Sequence, residues 1–261
     1  MSRPTNRGWH RHGLHQCFKY GSMQARGITD SIHEYFFPPD WKLYKMAGKA
    51  GEGSPGGCRV DSELRDWIGV LNKKRVKPAV VQRHLAKYSE FTRLIIRELR
   101  VRGLRPVGAQ VVVGHVASRM ATAVDLVVCD MNGKLGLWEI KTGYLGTFDA
   151  HTTHRMKTPV KHAQQRVAFE ALPANPLNFA LVQVVFTWIL WSRTFPRRPI
   201  SHRSVNVVNV TASGVKLYSV PPLLGMEIYT QLKSLKLVYR GTYDVLWHCG
   251  HAKSLGMLSS A

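Results

Sequence analysis

Acidic side chains are scarce in this chain. Across 261 residues, 16 Asp and Glu stand against 37 Lys and Arg, a formal net charge of +21. No acid occurs between Ala171 and Met226. This balance excludes a cationic partner and favours a polyanionic one, most simply DNA or RNA. An acidic membrane surface is the weaker reading, because no basic amphipathic helix stands out. Cysteine is sparse too. Cys17, Cys58, Cys129 and Cys249 show no zinc-ligand spacing and are few for a disulfide framework, which suits a reduced intracellular protein. His248, Cys249 and His251 cluster near the C-terminus without a second ligand pair. No apolar run reaches membrane-spanning length. The longest, Phe179 to Trp191, is short and interrupted by Gln183. No apolar signal segment opens the chain, and no internal repeat is visible.

What is present supports a sizeable core, since 44% of residues are hydrophobic. Residues 1–29 carry no acid but contain Arg3, Arg7, Arg11, Arg26, His10, His12 and His15. They read as a flexible basic arm that contacts phosphate, with some likeness to an organelle-targeting presequence. The expected location is the nucleus or a DNA-containing organelle such as the mitochondrion. Residues 30–77 form a helical N-terminal addition, 78–222 the core, and 223–261 a C-terminal extension. The glycine-rich stretch 48–57 reads as a linker.

Apolar periodicity predicts helices over 30–37, 61–71 and 78–101, the last ended by Gly103. Strands follow over 109–116, 123–129 and 135–141. Helices are expected over 158–172, 176–191 and 227–236, and a late hairpin over 205–210 and 215–219. The order helix, three strands, helices, strands describes a three-layer α/β/α core around a mixed β-sheet.

The most informative segment is the hairpin Val124 to Gly143, VDLVVCDMNGKLGLWEIKTG. It places Asp125, Glu139 and Lys141 in apolar strands, where charges are costly without a role. Glu139 and Lys141 share a face by alternation. Asp125 joins them if the turn is a three-residue loop, Met131-Asn132-Gly133, with Gly133 in the left-handed position. A two-residue turn would put the acids on opposite faces. Two adjoining carboxylates are hard oxygen ligands suited to Mg²⁺ or Mn²⁺. A neighbouring lysine can steady an attacking water or developing charge. The alternative is a structural salt bridge.

Val124-Asp125 and Trp138-Glu139-Ile140-Lys141 resemble the motif of the PD-(D/E)xK nuclease superfamily, and EIKTG is similar to its RecB and lambda-exonuclease branch. The resemblance covers residues 89–219. Val124 stands where the motif's proline is expected. The resemblance implies a restriction-endonuclease-like core that cuts DNA with Mg²⁺, the metal held by Asp125, Glu139 and the Ile140 carbonyl. It also implies a further acid from the preceding helix, Glu90 with Glu98 as rival, or instead a histidine from an early helix, His33. A glutamine in a later helix is implied as well. Gln165 fits best, with Phe169 four residues on, beside Gln164 and, in the apolar helix, Gln183. Lys157, Lys161, His162, Gln164 and Arg166 are expected to line the DNA path, the helix start at Thr158-Pro159 suiting phosphate. His151 and His154 are expected near phosphate, and Arg193, Arg197, Arg198 and Arg203 form a second basic patch.

The expected function is a Mg²⁺-dependent deoxyribonuclease, with an exonuclease in DNA processing, repair or recombination favoured. The competing readings are an inactive nuclease-fold protein that binds or packages DNA, and a basic structural component of a nucleoprotein assembly.

Overall fold

A computed structural model gives the fold and describes residues 9–12, 17–20, 22–41, 53–73, 77–144, 146–163 and 165–238. The chain enters through three short strands, β1 (Trp9–His12), β2 (Cys17–Tyr20) and β3 (Met23–Gly27), which lead into helix α1 (Ile28–Phe36). This corrects the expectation of a flexible arm for 9–12, 17–20 and 23–29. Phe18 of β2 and Ala25 of β3 bury themselves against Ala121, so alternate residues of the segment have an apolar wall to cover. Arg3, Arg7 and His15 lie outside the described residues, as do His248, Cys249 and His251.

Helices α2 (Gly53–Leu71), α3 (Pro78–Leu85) and α4 (Glu90–Val101) come next, then strands β4 (Arg105–His115), β5 (Met120–Cys129) and β6 (Leu135–Thr142). Helix α5 (Pro176–Thr194), strands β7 (Ile200–Thr211) and β8 (Gly214–Ser219), and helix α6 (Pro222–Ser234) complete the described chain. The sheet runs β1-β2-β3-β5-β6-β7-β8, with β4 paired to β5. The β3–β5 and β6–β7 pairs are parallel and the others antiparallel, so the sheet is mixed.

Three layers result. Helices α1, α5 and α6 pack on one face with Leu137, Val205 and Val207. Helices α2, α3 and α4 pack on the other with Leu126, Val128, Trp138 and Val208. Helix α5 is apolar all round, because the sheet covers one side and α1 and α6 cover the rest.

Three helix boundaries differ from expectation. The linker 48–57 gives way to α2 from Gly53 onward. The helix expected over 78–101 is two helices, because Ser89 caps α4: its Oγ accepts the Thr92 amide at 3.4 Å and donates to Glu63 at 2.6 Å. Glu63 also takes the Ser89 amide, at 2.9 Å. The helix expected over 158–172 is absent save for a 3-10 turn, Phe169–Ala171. There the Val160 and Arg166 amides bond to the side chains of Gln231 and Glu227 on α6, at 2.8 and 3.2 Å. Those tertiary acceptors take the place of helical carbonyls.

Gly136 of β6 lies close against β7 and β5. A Cβ there would stand 2.7 Å from the Ser204 carbonyl oxygen and 3.0 Å from Val128 Cγ2. Backbone cannot yield cheaply, so Gly136→Ala is expected to destabilise the fold by about 1–3 kcal/mol. The measurement is a lower urea midpoint at unchanged slope. A midpoint at or above that of the natural chain would contradict this packing.

Candidate active site

The hairpin turn sets the site. Cys129 pairs with Leu135, and the Asp130 amide donates to the Lys134 carbonyl at 2.9 Å. Met131, Asn132 and Gly133 therefore form a three-residue loop, with Gly133 at φ +79. Asp130 Oδ1 fixes the loop by accepting the amides of Asn132 and Lys134, at 2.9 and 2.8 Å. Carried back through Leu126↔Trp138, this register sets Asp125 across from Glu139.

Backbone pairing of β5 with β6 stops at Leu126↔Trp138. Beyond it, Asp125 Oδ2 accepts the Ile140 amide at 2.8 Å, so a side chain takes over where the ladder ends. Asp125 Oδ1 accepts from Gln110 Nε2 at 3.1 Å. Lys141 Nζ donates to Glu139 Oε1 at 2.8 Å and to Gln183 Oε1 of α5 at 2.9 Å. Gln110 stands in β4 at φ +52, a left-handed conformation that costs a non-glycine residue about 1–2 kcal/mol. The strands change faces at this point. Leu126 and Val128 belong to the α4 side, whereas Val124 and Met120 belong to the α5 side. Backbone strain and a break in alternation thus coincide with the acid.

Burial dominates the electrostatics. Glu139 is 2% exposed, and burial, reinforced by the charge of Asp125, pushes its pKa up to about 8. Asp125 keeps some solvent contact but is set deep among protein atoms. Burial raises its pKa too, against the opposing pull of Lys141. Burial acts to lower Lys141, but Glu139 and Asp125 outweigh it and hold the ammonium charged. The two carboxyl groups adjoin and titrate as a pair that shares a proton. A pair that keeps a proton at neutral pH is suited to exchange it for a divalent cation. Among the described residues no group of three or more His, Cys, Asp or Glu side chains offers a metal site. A cation here would rely on Asp125, Glu139 and backbone oxygen, a hard donor set that fits Mg²⁺ or Mn²⁺.

The other expected residues distribute unevenly. Glu90 is exposed at the first turn of α4, in the helical layer on the opposite face from Gln183 and Glu139. It does not join the acids, because α4 presents Thr92, Ile95, Ile96 and Leu99 inward and leaves Glu90 on its solvent side. Glu98, on the same helix, pairs with Arg102 at 2.6 Å. His33 lies on α1, within the correct layer, but its Nε2 is 2.6 Å from the Trp41 carbonyl. Gln165 donates to Thr158 Oγ1 and the Val167 carbonyl, at 3.3 and 3.0 Å, and braces its own loop. The glutamine that reaches the site is Gln183, the polar interruption of an apolar helix. Gln164 lies outside the described residues. Lys157 Nζ donates to the Glu34 carbonyl at 2.6 Å, and His162 pairs with buried Glu227 at 2.7 Å. Both have structural partners. Lys161 and Arg166 remain exposed. His154 stands 3.0 Å from Asp40. Gln110 was beyond sequence reasoning, since only the strained turn of β4 aims it at Asp125.

No family model, curated protein or solved structure matches the chain.

The raised carboxyl pKa values have a definite consequence for stability. Between the ordinary carboxylate range and about 8, the native state holds a proton that the unfolded chain has released. The contribution is complete below that range and is lost as pH rises through about 8. In chelator, the urea midpoint of the natural chain should fall relative to that of Glu139→Gln between roughly pH 5 and pH 8.5. Parallel curves would show that Glu139 does not titrate as its burial requires.

Proposed function

We propose that the protein is a metal-dependent deoxyribonuclease of the PD-(D/E)xK type, acting on DNA as an exonuclease in processing, repair or recombination. The observation that carries this reading is the convergence of Asp125, Glu139 and Lys141, buried together at the end of one hairpin in a chain of net charge +21. A salt bridge serving stability alone gives no reason to bury a second, like-charged carboxylate beside the first. Asp125, Glu139 and the Ile140 carbonyl would hold Mg²⁺ or Mn²⁺, which supplies Lewis-acid activation of the phosphate and of a water. Gln110 and the Ile140 amide orient the Asp125 carboxylate. Gln183 fixes the Lys141 ammonium, whose remaining donor capacity points to the attacking water or the developing charge. Exposed Lys161 and Arg166 supply phosphate contacts of a sequence-independent kind. The basic character of the chain supports a nuclear or organellar setting, where DNA is the available polyanion.

The test is cleavage of end-labelled linear and closed-circular DNA with Mg²⁺ or Mn²⁺. Linear DNA should be degraded and closed circles spared. Asp125→Ala and Lys141→Ala should abolish cleavage while retaining DNA affinity. Cleavage undiminished in those variants would falsify the site, and tight binding without cleavage under any divalent ion would favour an inactive DNA-binding protein.

Gln183 and Gln165 separate cleanly. Gln183→Ala should lower kcat by about 10–100-fold with DNA affinity unchanged, as loss of a group that orients a site residue does. Gln165→Ala should leave both nearly unaltered. The reverse pattern would return the glutamine role to the 158–172 loop.

A further inference from the structure

The row of the sheet that carries Lys141 does not end there. Asn209 of β7 pairs with Lys141, and Lys216 of β8 pairs with Asn209. Beside this row lies an open cavity of about 310 Å³, lined among others by Tyr144, Phe148, Asp149, Asn209, Lys216 and Tyr218. Tyr144 follows Lys141 by three residues, so the cavity adjoins the candidate active site directly. Its wall is aromatic: Phe148 stands 5.4 Å from Tyr144 and 5.5 Å from Tyr218, ring centre to ring centre. Asn209 is only 7% exposed, yet its Oδ1 has no hydrogen-bond partner. An acceptor left so is costly, and a donor brought by a ligand would recover that cost.

The charges select the occupant. Lys216, the cation of the lining, is already engaged. Its Nζ lies 2.9 Å from Asp149 Oδ2 and 4.7 Å over the Tyr218 ring. The Tyr218 hydroxyl donates to the same carboxylate oxygen at 2.8 Å. A phosphate entering the cavity would therefore meet Asp149 as well as Lys216. A neutral, flat group with an N–H on its edge meets no such opposition. It finds the half-buried ring of Tyr218, backed by buried Phe148, to stack on and an acceptor to satisfy.

We propose that this cavity receives a nucleobase, that of a nucleotide flanking the scissile phosphate, held by stacking on Tyr218 and by an N–H donated to Asn209 Oδ1. The inference rests on the nuclease reading of the neighbouring acids and adds to it a subsite for a splayed, unpaired base. Stacking is tolerant of base identity, whereas the Asn209 acceptor favours bases with an exocyclic amino group over an abasic position.

The experiment uses the full chain in chelator, so that binding is read without cleavage. Single-stranded oligonucleotides carry 2-aminopurine at one position in turn, and total binding is followed separately by anisotropy. One position should be quenched on saturation, and Asn209→Ala should remove that quenching while weakening binding by about fivefold or more. Should that variant fail to fold, Tyr218→Leu must give the same loss. Saturated binding with no position quenched, or quenching unchanged in the folded variants, would overturn the subsite. With Mg²⁺ added, an abasic residue at the quenched position should raise KM with kcat nearly unchanged, and an unchanged KM would count against the subsite. Quenching without cleavage under any divalent ion would instead sink the nuclease reading and leave the base pocket standing.

Discussion

The ammonium of Lys141 is the interaction on which the site depends. It is largely covered, it lies 2.8 Å from Glu139, and its charge opposes the pKa rise of Asp125. Without it, two carboxyl groups would face each other in a poorly hydrated setting and would both have to be protonated. With it, one negative charge is balanced and the other is relieved by a shared proton. Gln183 completes the arrangement by occupying a second donor of the same ammonium. This accounts for a glutamine inside a helix otherwise buried among Val, Phe, Trp and Leu.

A second buried acid shows what a purely structural carboxylate looks like in the same molecule. Glu227 is 3% exposed, about as deep as Glu139. Its oxygens receive His162 Nε2 at 2.7 Å, Gln231 Nε2 at 3.1 Å and the Arg166 amide at 3.2 Å. It has donors on both oxygens and is used to clamp the 160–166 loop onto α6. Glu139 instead has Lys141 and the Asp125 carboxyl as its partners, the second an acid like itself. Depth is equal, but Glu227 is held by three donors and Glu139 is set beside another acid, the arrangement that would gain most from a cation.

Much of this was legible in the sequence where local chemistry decides. The Gly133 loop, the facing of Asp125 and Glu139, the late hairpin of β7 and β8, and the three layers all follow from period and turn residues. Local chemistry failed where a distant side chain intervened. Glu63 reaches Ser89 from 26 residues away and divides the long helix. Glu227 and Gln231 draw the 158–172 segment out of a helix that its own pattern favours. Glu90 has its place in the helix before the first core strand, but chain order does not say which face of the sheet that helix will cover. Gln110 carries no sequence signal, because nothing in RPVGAQVVVGH announces a left-handed residue.

Charge counting ties the cluster to the rest of the surface. With one proton shared, Asp125, Glu139 and Lys141 sum to about zero, so the cluster neither attracts nor repels a phosphate strongly. Under the proposed reading, a divalent cation that displaces that proton to solvent would leave two carboxylates, one ammonium and two added positive charges, a net gain of about one. On the same reading the exposed lysines and arginines would act at longer range and hold DNA at any metal concentration. The cluster would then distinguish bound from productive: DNA would be held by the surface and the scissile phosphate drawn to the acids only once the cation has replaced the proton, because surface charge alone cannot tell one phosphate from its neighbours.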